Sequence, residues 1–210
     1  MDNFYTRYPA LLRCKDAIDQ AIDAIVHLPD AGGKLLLCGN GGSSADCDHI
    51  VGELMKGFLC RRPLAAQDRA RFFAAGMENA AAFAESLQYG IPAISLPAQT
   101  ALISAYNNDV NADMVYAQMV FVYGRPEDVL FAISTSGNSV NVTNAVRAAQ
   151  VKGMTTIGLT GQNTCALSHL CTITIHAPET QTYRIQEYHL PIYHYICMEV
   201  ERRLWSHEGN

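Results

Sequence analysis

The feature that most constrains this chain is a unit that occurs twice: a short apolar run, then a loop of glycine, asparagine and serine, then a helical pattern. The first copy reads LLLCGNGGSS over residues 35–44, and the second reads DVLFAISTSGNS over residues 128–139. Such apolar runs are typical of strands buried on both faces, which occur in parallel sheets covered by helices. The sequence therefore predicts an α/β fold.

Other segments continue this alternation of strand and helix along the chain. Four strands are predicted, at Lys34–Cys38, Asp128–Ile133, Thr155–Thr160 and Cys171–His176. Five helices are predicted: from about Pro9 to Ile25, from a cap at Ser43 or Ser44 to Lys56, over Val140–Lys152, near Ala166, and over Tyr183–Trp205. Because Pro191 lacks a backbone donor, the last helix should kink there or begin near Leu190. No linker divides the sequence, so residues 1–210 are expected to form one domain, with an alanine-rich insertion of one or two helices at residues 59–90.

Composition narrows the classes of partner. The net charge is −5 and no block of lysine or arginine stands out, so nucleic-acid binding is not expected. No apolar run approaches the ~20 residues of a membrane span, and the N-terminus does not resemble a secretory signal. The seven cysteines are scattered without a C-x-x-C pair, which is typical of reduced thiols in a cytoplasmic protein. A small molecule is the expected partner.

Both polar loops follow strands, and in a parallel sheet the carboxyl ends of the strands form the ligand-binding edge. The first loop offers backbone N–H groups and the start of a helix. The second adds hydroxyl groups before another helix, from Ser134, Thr135, Ser136 and Ser139. Together these groups suit a phosphate without a lysine, although each loop could also be an ordinary turn with a serine cap. Neither loop has a nucleotide-binding pattern.

Polar side chains on two predicted helices form a second candidate site. His49 and Glu53 are four residues apart and share a helix face, and Gln186 and His194 lie eight residues apart on the last helix. Two imidazoles, a carboxylate and an amide could form a metal site, with zinc as the first candidate. The alternative is an exposed His–Glu pair and an ordinary hydrogen-bonded histidine.

Four segments together resemble the SIS-domain sugar-phosphate isomerases, and most of all their phosphoheptose isomerase branch: CGNGGSSADCDHIVGEL, AISTSGNSVNV, GLTG and RIQEYHLPIYH. The resemblance covers nearly the whole chain apart from residues 59–90. It implies a doubly wound sheet of five parallel strands and a homotetramer with active sites at the subunit interfaces. It also implies interconversion of sedoheptulose 7-phosphate and D-glycero-D-manno-heptose 7-phosphate through an enediol.

The same resemblance implies roles for individual residues. The phosphate would be held by Ser134, Thr135, Ser136 and Ser139, and the sugar would be lined by Asn40, Gly41, Gly42, Ser43, Glu53 and Gln186. Asn108 and Asp109 would lie at the mouth of the site, although a polar turn ending a helix explains them equally well. One zinc per subunit would be bound by His49, Glu53, Gln186 and His194. Glu53 and His194 would form the acid/base pair.

Three departures from the family pattern bear on the substrate. Tyr183 stands where family members often have an acidic residue before Arg-Ile-Gln-Glu. Relatives have an arginine near Gly57, whereas the nearest cation here is Lys56. The segment 59–90 is longer than the connection expected at this point of the fold. They leave open an isomerase of another sugar phosphate. Two non-catalytic alternatives are an adaptor of the replication initiator and a sugar-phosphate sensor. Such adaptors lack the Glu and the last His of the metal set, and the sequence shows no extra domain to carry a sensor's output.

Overall fold

The computed structural model describes residues 4–205 of the chain, and their centre is one sheet of five parallel strands. The strands are β1 Leu35–Gly39, β2 Ala93–Ser95, β3 Val129–Ile133, β4 Thr155–Thr160 and β5 Ile173–His176. They lie in the order β2-β1-β3-β4-β5. The predicted doubly wound α/β fold is confirmed.

Helices connect the strands. In chain order they are α1 Phe4–Arg7, α2 Lys15–Val26, α3 Leu28–Ala31, α4 Gly42–Met55, α5 Ala66–Ala74, α6 Ala80–Ser86, α7 Thr100–Tyr106, α8 Val115–Tyr123, α9 Val140–Val151, α10 Ala166–Leu170 and α11 Thr182–Trp205. Short 3₁₀ turns lie at Pro9–Cys14, Leu96–Ala98 and Ala112–Met114, and a π-helical turn spans Asn107–Asn111. No helix within residues 4–205 combines the length and apolarity needed to cross a membrane.

Each face of the sheet has its own apolar core, as the alternation of strand side chains requires. Leu35 and Leu37 of β1 pack in a core with α2, α4 and α11. Leu36 and Cys38 point to the opposite face, where α8, α9 and α10 cover the sheet. Burial of the strands on both faces explains why their sequences are continuous apolar runs.

The strand order creates a binding crevice. β1 pairs with β2 on one side, through Leu35 and Ala93, and with β3 on the other, through Leu35 and Val129. The chain therefore reverses its direction of winding between β1 and β3. In open α/β sheets such a switch point leaves a crevice outside the carboxyl ends of the two strands. The two polar loops of the sequence flank this crevice.

Several predicted boundaries are wrong. Strand β2 was not predicted, because three residues between Pro92 and Pro97 are too few to show a pattern. The first predicted helix is divided into the 3₁₀ turn that begins at Pro9 and helix α2. The predicted strands at Lys34, Asp128 and Cys171 each begin one or two residues later.

Two predictions about helix ends also fail. Helix α4 begins at Gly42 with Gly41 as its cap and without a side-chain cap bond, so neither Ser43 nor Ser44 caps it. Helix α11 runs from Thr182 to Trp205, close to the predicted Tyr183–Trp205, so of the two outcomes expected at Pro191 the start near Leu190 is wrong. Pro191 is buried in the α11 core, and that packing offsets the loss of one helical donor.

Residues 59–90 contain α5 and α6 and return to their starting point. Pro63 pairs with Gln88, and the Tyr89 N–H donates to the Arg62 carbonyl. The segment is attached to α11 by a buried ion pair, Arg62 to Glu201, whose nitrogen and oxygen atoms lie 2.8 Å apart. We refer to this pair as the Arg62–Glu201 anchor.

Candidate active site

Helices α4 and α11 run in the same direction on one face of the sheet, and their facing side chains form the candidate site. At the start of the contact, Gln186 lies so close over Gly42 that a Cβ there would be 2.5 Å from its amide nitrogen. Two turns further along α4, the His49 Nδ1 atom lies 2.9 Å from the Tyr193 hydroxyl. A side chain at position 42 would therefore displace the Gln186 amide from its place over α4.

Three predicted site residues, the acid/base pair Glu53 and His194 and the metal ligand His49, meet further along this contact. The His49 Nε2 atom lies 3.3 Å from Glu53 Oε1 and 3.4 Å from His194 Nε2. The Glu53 side chain is 13% exposed and that of His49 is 42% exposed, so the group is open to solvent at its edge. Burial and the neighbouring His49 lower the pKa of His194, and Glu53 partly offsets them. The low pKa favours a neutral imidazole that can accept a proton.

The fourth predicted metal ligand, Gln186, lies at the beginning of the same contact over Gly42. In residues 4–205, no group of three or more His, Cys, Asp or Glu side chains has the arrangement that would hold a metal ion. The distances from His49 Nε2 to Glu53 Oε1 and to His194 Nε2 nevertheless equal those between two ligands of one metal ion. Two metal–ligand bonds of ~2.0–2.1 Å at a tetrahedral angle place the two ligand atoms about 3.3–3.4 Å apart. The donor types, imidazole and carboxylate, are among those that bind zinc in proteins.

The first polar loop needs glycine for conformational reasons. Gly41 has φ +56° and ψ −121°, a backbone conformation that side chains disfavour. Asn40 exchanges two hydrogen bonds of 2.9 Å with Asn141 at the start of α9. This amide pair joins the loop after β1 to the loop after β3 and so fixes the width of the crevice.

The second polar loop gathers hydroxyl groups at the end of β3. The Ser134 and Ser139 hydroxyls are 3.0 Å apart, and Gly137, with φ +65°, turns the chain between them. Beside the loop lies an open cavity of about 340 Å³, lined in part by Thr135 and Ser136. The first-turn N–H groups of the twelve-residue helix α9 begin here and favour an anion.

The remaining predicted residues lie in different settings. Ser43 is buried in the first turn of α4. Asn108 and Asp109 lie on the exposed π-helical turn, where Asn108 donates to Asp109. No hydrogen bond within residues 4–205 joins these two to the loops or to the α4–α11 contact. The Lys56 Nζ atom lies 3.4 Å from Glu53 Oε2. The lysine that stands in place of the family's arginine near Gly57 therefore contacts the predicted base.

Sequence reasoning missed the residues that support the site. Asp46 lies one turn before His49 on α4, and its buried Oδ2 atom has no hydrogen-bond partner among the described residues. Burial raises the pKa of Asp46, while Tyr193 and His49 lower it. Asn141 was also missed. The spacing of Asp46, His49 and Glu53 on one helical stripe could have indicated the first of these.

Comparison with known proteins identifies the family. The SIS-domain family profile matches residues 10–77 and 74–161. The phosphoheptose isomerase of Rhodospirillum rubrum is 36% identical over 193 residues, which cover 92% of this chain and 89% of the relative. The chain belongs to the SIS-domain family, in its phosphoheptose isomerase branch.

Solved structures of SIS-domain isomerases agree with this assignment. The phosphoheptose isomerase of Francisella tularensis superimposes with a TM-score of 0.72 at 27% identity, over 96% of this chain and 97% of that one. The Neisseria gonorrhoeae enzyme gives a TM-score of 0.70 at 29% identity, over 93% and 95% of the two chains. The protein is therefore an isomerase whose substrate is a sugar phosphate.

Proposed function

We propose that this isomerase converts sedoheptulose 7-phosphate to D-glycero-D-manno-heptose 7-phosphate through an enediol. The observation that carries the proposal is the meeting of His49, Glu53 and His194 from two helices, beside the crevice between β1 and β3. The names of the relatives, phosphoheptose isomerases, support the choice of sugar. An aldose–ketose shift needs this combination of a carboxylate and an imidazole.

The phosphate end of the substrate is assigned to the loop Ser134–Ser139. Its hydroxyl groups and the N-terminus of α9 offer donors to the phosphate oxygens without a cation from the same loop. Binding this distant group positions the reacting carbons, so the phosphate contributes to the rate through orientation. Asn40, Gly41 and Gly42, together with Gln186, are assigned to the sugar.

Glu53 is the proposed base that moves a proton between C1 and C2. A carboxylate that reaches both carbons takes the proton from one and returns it to the other. Its partly buried setting limits loss of that proton to solvent. His194 is the proposed partner that moves a proton between the two oxygens and opens the sugar ring, since its lowered pKa keeps the imidazole neutral.

Zinc is part of the proposal because the donor set suits it. His49, Glu53, Gln186 and His194 would hold the ion. When bound, zinc supplies polarisation of the sugar oxygens and stabilises negative charge. Metal analysis of the purified protein tests this proposal: we expect about one zinc per chain, and protein that is fully active without any metal would contradict it.

The proposed homotetramer with interfacial active sites has support on the surface of α8. This helix reads VYAQMVFVY, and Phe121 and Val122 are 58% and 65% exposed. A helix that is apolar on all sides is normally buried, so a second copy of the chain is its proposed cover. Light scattering would measure the mass of the wild type and of Phe121→Asp. A monomeric wild type would contradict the assembly.

An isomerase assay across five-, six- and seven-carbon sugar phosphates tests the proposed reaction. We expect the highest kcat/KM with sedoheptulose 7-phosphate, because relatives that are similar over nearly the whole chain are phosphoheptose isomerases. A preference for a shorter sugar phosphate would keep the isomerase and reject the heptose. Turnover of none of them, by protein that binds them, would make the chain a sugar-phosphate binder.

A further inference from the structure

The backbone carbonyls of the phosphate loop, Ser134–Ser139, are the groups of this loop that an anion avoids. Phosphate oxygens carry negative charge and accept hydrogen bonds, so a carbonyl turned toward them would repel them. Four consecutive carbonyls of the loop are occupied by donors from the protein. Three of them accept from backbone N–H groups: Ser134 from Gly137 at 3.0 Å, Thr135 from Gly161 at 3.1 Å and Gly137 from Leu167 at 3.1 Å.

The fourth carbonyl, that of Ser136, is held by a side chain. The Asn138 Nδ2 atom donates to it over 3.0 Å. The Oδ1 atom of the same amide accepts from the backbone N–H of Ala166, the first residue of α10, over 2.9 Å. Asn138 therefore connects the phosphate loop with α10.

The two backbone partners determine which side chain fits at position 138. The N–H of Ala166 can only donate and the carbonyl of Ser136 can only accept, so the amide of Asn138 fits in one orientation. A carboxylate of the same shape lacks the donor, and an apolar side chain lacks both groups.

Asn138 also acts on the Ser136 hydroxyl. Its backbone N–H donates to Ser136 Oγ over 3.2 Å, which is a turn that serine side chains commonly form. Because the oxygen accepts this bond, the hydroxyl keeps its proton for another acceptor. The Ser134 hydroxyl is 3.5 Å away, too far for a strong hydrogen bond. Ser136 is exposed and lines the cavity of about 340 Å³, where a ligand can take that proton.

We propose that Asn138 is a positioning residue for phosphate binding, which ties the Ser136 carbonyl to α10 and leaves the Ser136 hydroxyl to donate to the phosphate. This inference rests on the proposed assignment of the phosphate to the loop Ser134–Ser139. Asn138 itself makes no contact with the phosphate. Without its side chain the Ser136 peptide loses its connection to α10, and the carbonyl is free to turn toward the ligand.

Calorimetric titration of the full chain with inorganic phosphate tests the proposal. We expect the Kd for phosphate to rise by about tenfold or more in Asn138→Ala, because a hydrogen bond to a charged group is weakened. The matched control is Asn163→Ala, which removes the same side chain from another exposed position on the same cavity. It should leave the Kd within about twofold of wild type. Equal affinities of wild type and Asn138→Ala would overturn the proposal.

The variant Asn138→Asp separates positioning from a role in folding alone. The aspartate keeps the acceptor for Ala166 and lacks the donor for Ser136. We expect the wild-type melting temperature and a Kd for phosphate raised at least as much as in Asn138→Ala. A lower melting temperature with the wild-type Kd is the result of a purely structural role and would contradict the inference.

The variant Ser136→Ala shows whether Asn138 acts through Ser136. If it does, removal of the Asn138 side chain has little further effect once the hydroxyl is gone. We expect the double variant Ser136→Ala/Asn138→Ala to bind phosphate within about threefold of Ser136→Ala alone. Effects of the two substitutions that multiply would mean that Asn138 contacts the phosphate itself, and would overturn the positioning role.

An isomerase assay on the same proteins separates this inference from the proposed function. A chain whose phosphate affinities follow this pattern but which converts no sugar phosphate rejects the function and keeps the role of Asn138. An active enzyme in which Asn138→Ala and Asn163→Ala bind phosphate equally well rejects the role and keeps the function. A wild type that binds no phosphate rejects the loop assignment and the inference with it.

Discussion

The contact between α4 and α11 has two ends of opposite character. At the end that contains His49, Glu53 and His194, side-chain nitrogen and oxygen atoms lie 3.3–3.4 Å apart and the group is open to solvent. At the other end the Arg62–Glu201 anchor is buried, and the Arg62 guanidinium lies 4.2 Å from the centre of the Trp205 ring.

The difference lies in how completely the polar groups are paired. Arg62 donates to the carbonyls of Glu53 and Leu54, which end helix α4. Glu201 accepts from Arg62 and from the backbone N–H groups of residues 58–60, which lower its pKa against the effect of burial. The anchor thus stabilises the fold, while the incompletely paired end remains free to bind and react. The first two predictions below change one end each, and the later ones change residues near the contact.

Replacing the proposed base has the largest expected effect. Glu53→Gln should lower kcat by about 10²–10⁴-fold, because the amide cannot take a proton from carbon. The melting temperature should change little, since Glu53 lies at the open end. Glu187→Gln, on the exposed face of α11, is the control. Residual activity of Glu53→Gln within tenfold of wild type would remove Glu53 from its role.

Breaking the anchor should destabilise the protein without abolishing the chemistry. Arg62→Met leaves the Glu201 carboxylate buried and unpaired, and we expect a loss of about 3–5 kcal/mol in the free energy of unfolding. Urea denaturation measures this loss. Arg61→Met changes the exposed neighbour and should have an effect below about 0.5 kcal/mol. Equal effects of the two variants would contradict the contrast between the ends.

The pH dependence of stability provides a further test. Burial lowers the pKa of His189 on α11 to about 4. In that range the unfolded chain binds a proton that the folded chain does not, so stability falls as the pH falls from about 6.5 toward 4. Between pH 7 and pH 5 the loss should be about 2 kcal/mol.

The variant His189→Gln should lose that part of the pH dependence, because glutamine does not titrate. Denaturant unfolding at several pH values compares it with the wild type. The exposed His27→Gln is the matched control and should keep the wild-type slope. If all three proteins have the same slope, His189 is not the group that titrates.

The smallest expected effects come from two glycines, Gly41 at the cap of α4 and Gly52 within it. Gly41→Ala forces a side chain into a left-handed conformation and should destabilise the protein by about 1–2 kcal/mol. Gly52 lies within the helix with open space around it, so Gly52→Ala should stabilise by about 0.5–1 kcal/mol. Thermal unfolding distinguishes them by the sign of the shift. A stabilising Gly41→Ala would show that the loop does not require glycine.

The sequence predicted the features that repeat and missed those that depend on distant contacts. The strands β1, β3, β4 and β5 could be predicted because buried parallel strands are continuous apolar runs. Strand β2 could not, since its three residues depend on pairing with β1. Spacing placed His49 on one face with Glu53, but only the packing of α11 brings His194 to them.

The supporting residues were missed for the same reason. Tyr193 and Asn141 form hydrogen bonds with partners that are more than 100 residues away in the chain. Arg62 and Glu201 are 139 residues apart, and nothing in their local sequences indicates that they pair. Local pattern determines the elements, whereas tertiary contact determines which polar side chains are satisfied.

A crystal structure of Glu53→Gln with sedoheptulose 7-phosphate tests the central claim most directly, because this variant should bind the sugar without converting it. The account predicts the phosphate against the loop Ser134–Ser139 and the first two sugar carbons between residue 53 and His194. A phosphate bound elsewhere, or a sugar that touches no residue of α11, would contradict it.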